Sequence, residues 1–186
     1  MVSKIFNSGL QAMQDTMNVL SVPDLSRAVD AIRKAKRVEV FGIGSAATIA
    51  EDANYRLLRI GIESRVSVDS HIQAITASLC TAKSAVLTIS HSGSTIETLT
   101  ATRLAKEAGA MTIVVTNYGR SPILEHADIV LNTMARETQF RTEAMTSRIA
   151  QLAVIDALIA GLALADYDRS VATINKTFEV LSSKRV

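Results

Sequence analysis

The sequence predicts an α/β fold: a three-layer αβα sandwich on a mostly parallel five-stranded sheet, with helices on both faces. Three observations lead there. Five short, largely apolar runs (38–43, 64–68, 85–89, 111–116 and 129–131) alternate with helical stretches of roughly 10–15 residues, the pattern of parallel strands joined by crossover helices. Apart from 64–68, apolar residues predominate in the runs, as strands buried on both faces require. The length of 186 residues suits one domain.

Taken in order, residues 7–20 carry apolar side chains at 10, 13, 17 and 20, a helical period. Val22-Pro23-Asp24 breaks it, and a second helix starts at Asp24 or Ser26 and runs to about Ala35, with Leu25, Ala28, Val29 and Ile32 on one face. Residues 38–43 read as a buried strand ending in glycines. Residues 45–60 are helical, with Ile49, Ala53, Leu57 and Ile60 on one face and Gly61 as the stop. A strand at 64–68 and a helix at 70–79 follow. The strand at 85–89 leads into a helix over 95–108, which Gly109 ends. The strands at 111–116 and 129–131 precede a long helix over 142–165 and a last one over 171–181. The long helix presents Met145, Ile149, Leu152, Ile155, Leu158, Ile159 and Leu162 as an apolar face for the core or a subunit interface. Residues 1–25 read as a helical linker and 26–186 as the domain, with no internal repeat.

Composition narrows the function. Hydrophobic residues make up 48% and aromatics 4%, so the core is aliphatic and alanine-rich. The net charge of +2, from 20 basic and 18 acidic residues, is too balanced for nucleic-acid binding by this chain itself. Cys80 is the one cysteine. It excludes an intramolecular disulfide, reads as a small buried residue and fits a reducing, cytoplasmic setting. The N-terminus has no secretory apolar segment. The apolar stretch 149–165 falls short of the ~20 residues of a membrane span and is interrupted by Gln151 and Asp156. His71, His91 and His126 lie on separate loops without zinc-like spacing, so neither metal nor cofactor is expected.

Ligands of parallel sheets bind beyond the carboxyl ends of the strands, which directs attention to the loops after Phe41, Ile89 and Thr116. The strongest signal is Ser90-His91-Ser92-Gly93-Ser94-Thr95, between a strand and a helix. Gly93 permits close backbone approach. The helix start offers free amides and a positive dipole end to a dianion, and the hydroxyls of Ser90, Ser92, Ser94 and Thr95 add donors. The loop has no lysine, so it is not a nucleotide-hydrolysing P-loop. A cap alone needs one hydroxyl; this loop has four. The second loop, Gly42-Ile43-Gly44-Ser45-Ala46-Ala47, has the G-x-G-x-x-A form of a dinucleotide fingerprint, with Asp69 near the place of a ribose-binding acid. A dinucleotide site does not need a second phosphate loop, so Gly44 and Ser45 are read as the opposite wall of one small-molecule pocket.

These loops, Val40-Phe41-Gly42-Ile43-Gly44-Ser45 and Ile89 through Thr98, together with Ala105-Lys106-Glu107-Ala108-Gly109-Ala110, resemble the SIS (sugar isomerase) domain family over residues 26–181. Within that family the chain is most similar to the effector domain of RpiR-type transcription regulators. Arg59-Ile60-Gly61, Asp69-Ser70-His71-Ile72-Gln73, Arg136-Glu137-Thr138-Gln139-Phe140-Arg141 and Ala144-Met145-Thr146-Ser147-Arg148-Ile149-Ala150-Gln151-Leu152 carry that likeness. The resemblance implies a flavodoxin-like SIS fold and a phosphorylated sugar held by the serine loop. It also implies homodimers or homotetramers, and DNA contact only through a helix-turn-helix module that this chain does not contain.

Two readings of the site follow. As a sensor, the chain binds a phosphosugar with Gly44, Ser45, Ser90, His91, Ser92, Gly93, Ser94, Thr95, Glu137 and Arg141. As an aldose–ketose phosphate isomerase it needs a base at neutral pH, for which Glu137, His71 and His91 are the candidates. Glu137 also has a plain role as partner of Arg136, Arg141 or Arg148, His71 as a surface or capping residue, and Ser147 and Arg148 can serve pocket or interface. A third reading is a dimerisation module with empty loops. The sensor reading is preferred.

Overall fold

A computed structural model describes residues 2–136 and 145–182. Chain order is α1 (Val2–Val19), α2 (Val22–Lys34), β1 (Arg37–Phe41), α3 (Ala47–Arg59), β2 (Ser64–Ser67), α4 (Ser70–Ser78), β3 (Ser84–Ile89), α5 (Ile96–Glu107), β4 (Met111–Asn117), β5 (Ile129–Thr133), α6 (Met145–Ala165) and α7 (Tyr167–Ser182). Short 3-10 turns at Gly44–Ala46 and Pro122–His126 precede α3 and β5. The five expected strands are present, and every pairing is parallel in the order β2-β1-β3-β4-β5.

Side-chain alternation divides each strand between two helical layers. Val38 and Val40, Ala85, Leu87 and Ile89, and Ile113 and Val115 face α2, α3 and α6, in a core completed by Leu57, Ile155 and Leu158. Phe41 and Val86 face α4 and α5, where the partners are small: Ala77, Cys80, Ala101 and Ala105. The second layer can therefore sit close to the sheet, as the alanine-rich composition foretells.

Three expectations change. The break between the first two helices is present, but the second starts earlier than Asp24 or Ser26: α1 ends at Val19 and α2 begins at Val22, with Pro23 in its first turn, where a missing N–H costs nothing, and with Ser21 as the cap, accepting from Asp24 N at 3.2 Å. The apolar stripe that reveals α1 is not the one it buries: Gly9, Ala12 and Thr16 face inward, and Leu10 and Met17 are 59% and 66% exposed. The small side chains allow α1 to lie close against α6, and Thr16 Oγ1 accepts from Met134 N at 2.9 Å. On α6 the buried stripe is Ser147, Ala150, Gln151, Val154, Ile155, Leu158 and Leu162, while Ile149 is 40% exposed. The helix has 21 residues, longer than the apolar stretch alone suggests. By length and composition it matches a membrane span, yet its inner stripe is packed on the sheet among α1, α2 and α3.

Candidate functional site

Strand order reverses at β1. The chain passes from β1 to β2 on one side, then crosses to β3 on the other. The crevice between the carboxyl ends of β1 and β3 is the place where such sheets hold ligands, and the Gly42–Ala46 and Ser90–Thr95 loops flank it.

The first loop is shaped by what glycine lacks. A Cβ on Gly42 would lie 2.6 Å from Ala46 O and 2.9 Å from Ala50 Cβ, so the chain turns tightly onto α3. Gly44 has φ +62° with open space beside it, a left-handed conformation that favours glycine. Gly44 and Ser45 are exposed toward the crevice edge. Below them, the fully buried Gln73 donates from Nε2 to Ser67 O at 2.6 Å and to Gly42 O at 3.2 Å.

The second loop is anchored to β4. Ser90 N donates to Val115 O at 3.0 Å, and His91 O accepts from Asn117 N at 3.1 Å and from Thr116 Oγ1 at 3.3 Å. Ser92 Oγ accepts from Ser94 N, and Ser94 Oγ donates to Ser92 O, both at 3.2 Å. Ser92 and Ser94 are exposed, His91 and Thr95 half-buried, and Ser90 and Gly93 buried. Thr95 occupies the cap position of α5, yet its hydroxyl makes no capping bond. Ser21 and Asp69 do cap α2 and α4. The first amides of α5 thus have no side-chain acceptor from their cap and point at the crevice edge.

One residue at this loop went unnoticed in the sequence. Ser121, after β4, packs its buried, unpartnered hydroxyl directly against Gly93, whose φ is +59°. Ile123 N also donates to Gly93 O at 3.1 Å. The only local signal was a serine before proline in a turn, which marks a bend and says nothing about its partner.

His71 lies exposed in the first turn of α4, beyond the carboxyl end of β2 and so at the same edge of the sheet. Glu137 and Arg141 lie outside the described residues. Burial pushes the Cys80 thiol up, and the neighbouring Glu39 adds to it, so Cys80 is a core residue rather than a nucleophile. Among the described residues, no group of three or more His, Cys, Asp or Glu could hold a metal ion. A recess lined by Arg33, Ile60, Leu162 and Arg169 opens at the opposite edge. The carboxyl ends of α2, α3 and α6 converge there with Asp30 and Asp166, so the helix dipoles disfavour an anion.

Comparison with known proteins agrees with this geometry. The family model for the SIS domain matches residues 31–161. An uncharacterised HTH-type transcriptional regulator of Caldanaerobacter subterraneus is 38% identical over 185 residues, covering 100% of this chain and 66% of the relative. The HTH-type transcriptional regulator RpiR of Escherichia coli is 31% identical over 176 residues, covering 95% of this chain and 60% of its own length. The chain therefore spans about three-fifths to two-thirds of these curated relatives. The Vibrio vulnificus NanR protein, solved in complex with ManNAc-6P, superposes with a TM-score of 0.94 at 24% identity, over 100% of this chain and 70% of that one. With its five parallel strands, its two crevice loops and a family match over most of its length, the chain belongs to the SIS domain family and is similar to RpiR-type regulators.

Proposed function

We propose that the chain is a phosphosugar-sensing domain of an RpiR-type regulator, acting in the cytoplasm. The observation that carries this reading is Thr95: a cap residue whose hydroxyl does no capping, at a helix start that follows four serine and threonine hydroxyls and a left-handed glycine. That arrangement suits a phosphate dianion, which takes hydrogen bonds from hydroxyls and amides together. The Gly42–Ser45 wall faces the sugar, and Glu137 and Arg141 are the candidates for contacts to its hydroxyls and phosphate. The complex of NanR with ManNAc-6P supports a sugar 6-phosphate as the ligand class.

The protein works as a homodimer or homotetramer, and ligand binding shifts the arrangement of its protomers. Exposed Phe6, Leu10 and Met17 on α1 form an apolar face suited to self-association. DNA is bound through a helix-turn-helix module, as the similarity to HTH-type regulators suggests.

The test is a thermal-shift screen of hexose, pentose, N-acetylamino-sugar and uronate phosphates. Free ligand at 100 times its Kd adds about 2.7 kcal/mol, which for a domain of this size is about 5–10 °C in Tm. One class should produce that shift and be recovered unchanged. An unaltered shift in the Ser92→Ala/Thr95→Ala double variant removes the serine loop from the site. Conversion of the ligand to its isomer makes the chain an enzyme, with Glu137 the first residue to replace.

A further inference from the structure

We propose that Gln73 is the positioning residue of the sugar-side wall. Its amide holds the Gly42–Ser45 loop at the spacing from the serine loop that a phosphosugar, as distinct from a bare phosphate, requires. This rests on the phosphosugar reading above.

The argument starts where the sheet ends. β1 and β2 pair up to Phe41 and Ser67, and beyond that register the strands part. Gln73 Nε2 bridges the gap. One hydrogen bond goes to the carbonyl of Ser67, the last residue of β2, and the other to that of Gly42, the first residue after β1. The Gly42 peptide is then held from two sides: by Ala46 and Ala50 of the first loop and α3, packed against its Cα, and by Gln73 on its oxygen. Gly44 and Ser45, two and three residues further on, are exposed and form a 3-10 turn whose carbonyls accept from Ala47 N and from Thr48 Oγ1 at 3.1 Å. Their position is set by Gly42 on one side and by the start of α3 on the other.

The side chain has no exposure, and its Oε1 is buried without a partner, an unmet bond that is costly. An apolar side chain of the same length would avoid that cost but would withdraw the donor from both carbonyls. Gln73 thus leaves one acceptor unmet and ties together two backbone carbonyls at the edge of the binding crevice.

The experiment compares two probes on the purified chain. Inorganic phosphate reports the serine loop; glucose 6-phosphate, ribose 5-phosphate and N-acetylmannosamine 6-phosphate report both walls. Affinities are read by amide chemical-shift titration in wild type, Gln73→Met and Gln73→Asn, with Tm measured for each. Methionine keeps the length and removes both amide functions. Asparagine keeps the amide but falls short of the two carbonyls, and it replaces methionine if that variant does not fold.

The expected result is a loss of about tenfold in affinity for the tightest sugar phosphate, with inorganic phosphate affinity within twofold of wild type. A purely structural role would move both probes together, or neither. Equal losses for both probes, or an unchanged ratio between them, overturns the proposal and leaves the phosphosugar reading standing. If wild type binds inorganic phosphate but prefers none of the three sugar phosphates, the phosphosugar reading itself falls and this proposal falls with it.

Discussion

Arg37 Nε stands 2.6 Å from Glu39 Oε1 on the α4–α5 side of β1, and the Glu39 side chain has no exposure at all. Neither atom makes an aligned hydrogen bond, so the contact is an electrostatic one between a half-exposed cation and a fully desolvated anion. Burial pushes the Glu39 carboxyl above its ordinary range, and Arg37 and Arg65 draw it only part of the way back. The close ion pair and the raised pKa point in opposite directions; desolvation wins because the whole carboxylate has left water.

A pH dependence follows from that balance. Glu39 binds its proton more tightly in the folded chain than in the unfolded one. Its neutral form is therefore favourable below the ordinary carboxylate pKa, and that contribution is lost as pH rises through the folded pKa. Glu39→Gln should match wild type in urea unfolding at pH 4 and gain on it steadily toward pH 8. A constant difference across that range would show that the charge carries no burial cost.

Asp128 should behave in the opposite sense. Burial raises its pKa, but hydrogen bonds from Thr112 N and Oγ1, both at 2.9 Å, and the Lys106 ammonium at 3.2 Å outweigh it, and the net direction is down. Its stabilisation is present above the ordinary carboxylate pKa and lost as pH falls through the depressed one. Asp128→Asn should be less stable than wild type at pH 7 by about 1–2 kcal/mol, and the gap should narrow toward pH 3. Unfolding curves at the two pH values measure it.

Two hydroxyls at helix starts separate stability from binding. Ser21 caps α2, and Ser21→Ala should cost about 1 kcal/mol with no change in ligand affinity. The Thr95 hydroxyl caps nothing. Thr95→Ala should leave stability within about 0.5 kcal/mol and weaken sugar phosphate binding by roughly tenfold or more, the loss of one charge-assisted bond. Calorimetry and thermal unfolding of the two variants check this together.

Gly93 combines a left-handed backbone with direct contact to Ser121 and Ile123. An alanine there meets strain of about 1–2 kcal/mol and overpacking of about 1–3 kcal/mol. Gly93→Ala should lower Tm and abolish phosphate binding. Gly93→Ala with Ser121→Gly should recover part of the Tm by opening the space, though the strained φ remains.

Most of the architecture was readable from local pattern. Strand and helix periods placed all five strands, and the position of the glycine and serine loops after β1 and β3 pointed to the crevice. The misreadings share a cause. The second helix begins at Val22, ahead of the expected Asp24 or Ser26, because proline suits a first turn and Ser21 supplies the cap. α1 showed its helical period through Leu10, Met13 and Met17, but the face it buries is Gly9, Ala12 and Thr16; close approach to α6 selects small residues, which leave no trace in a hydrophobic pattern.

Residue order, through the 2.0 and 3.6 periods and the turn chemistry of glycine and serine, was enough for the fold class, the family likeness and the serine loop. Tertiary structure decided which carbonyls Gln73 holds, that Ser121 closes on Gly93, and that Glu39 is buried beside Arg37. Periodicity relates residues a few positions apart, whereas Gly42 and Gln73 are 31 positions apart and Gly93 and Ser121 belong to different crossovers. Such pairs meet only once the parallel strands have brought their carboxyl ends to one edge.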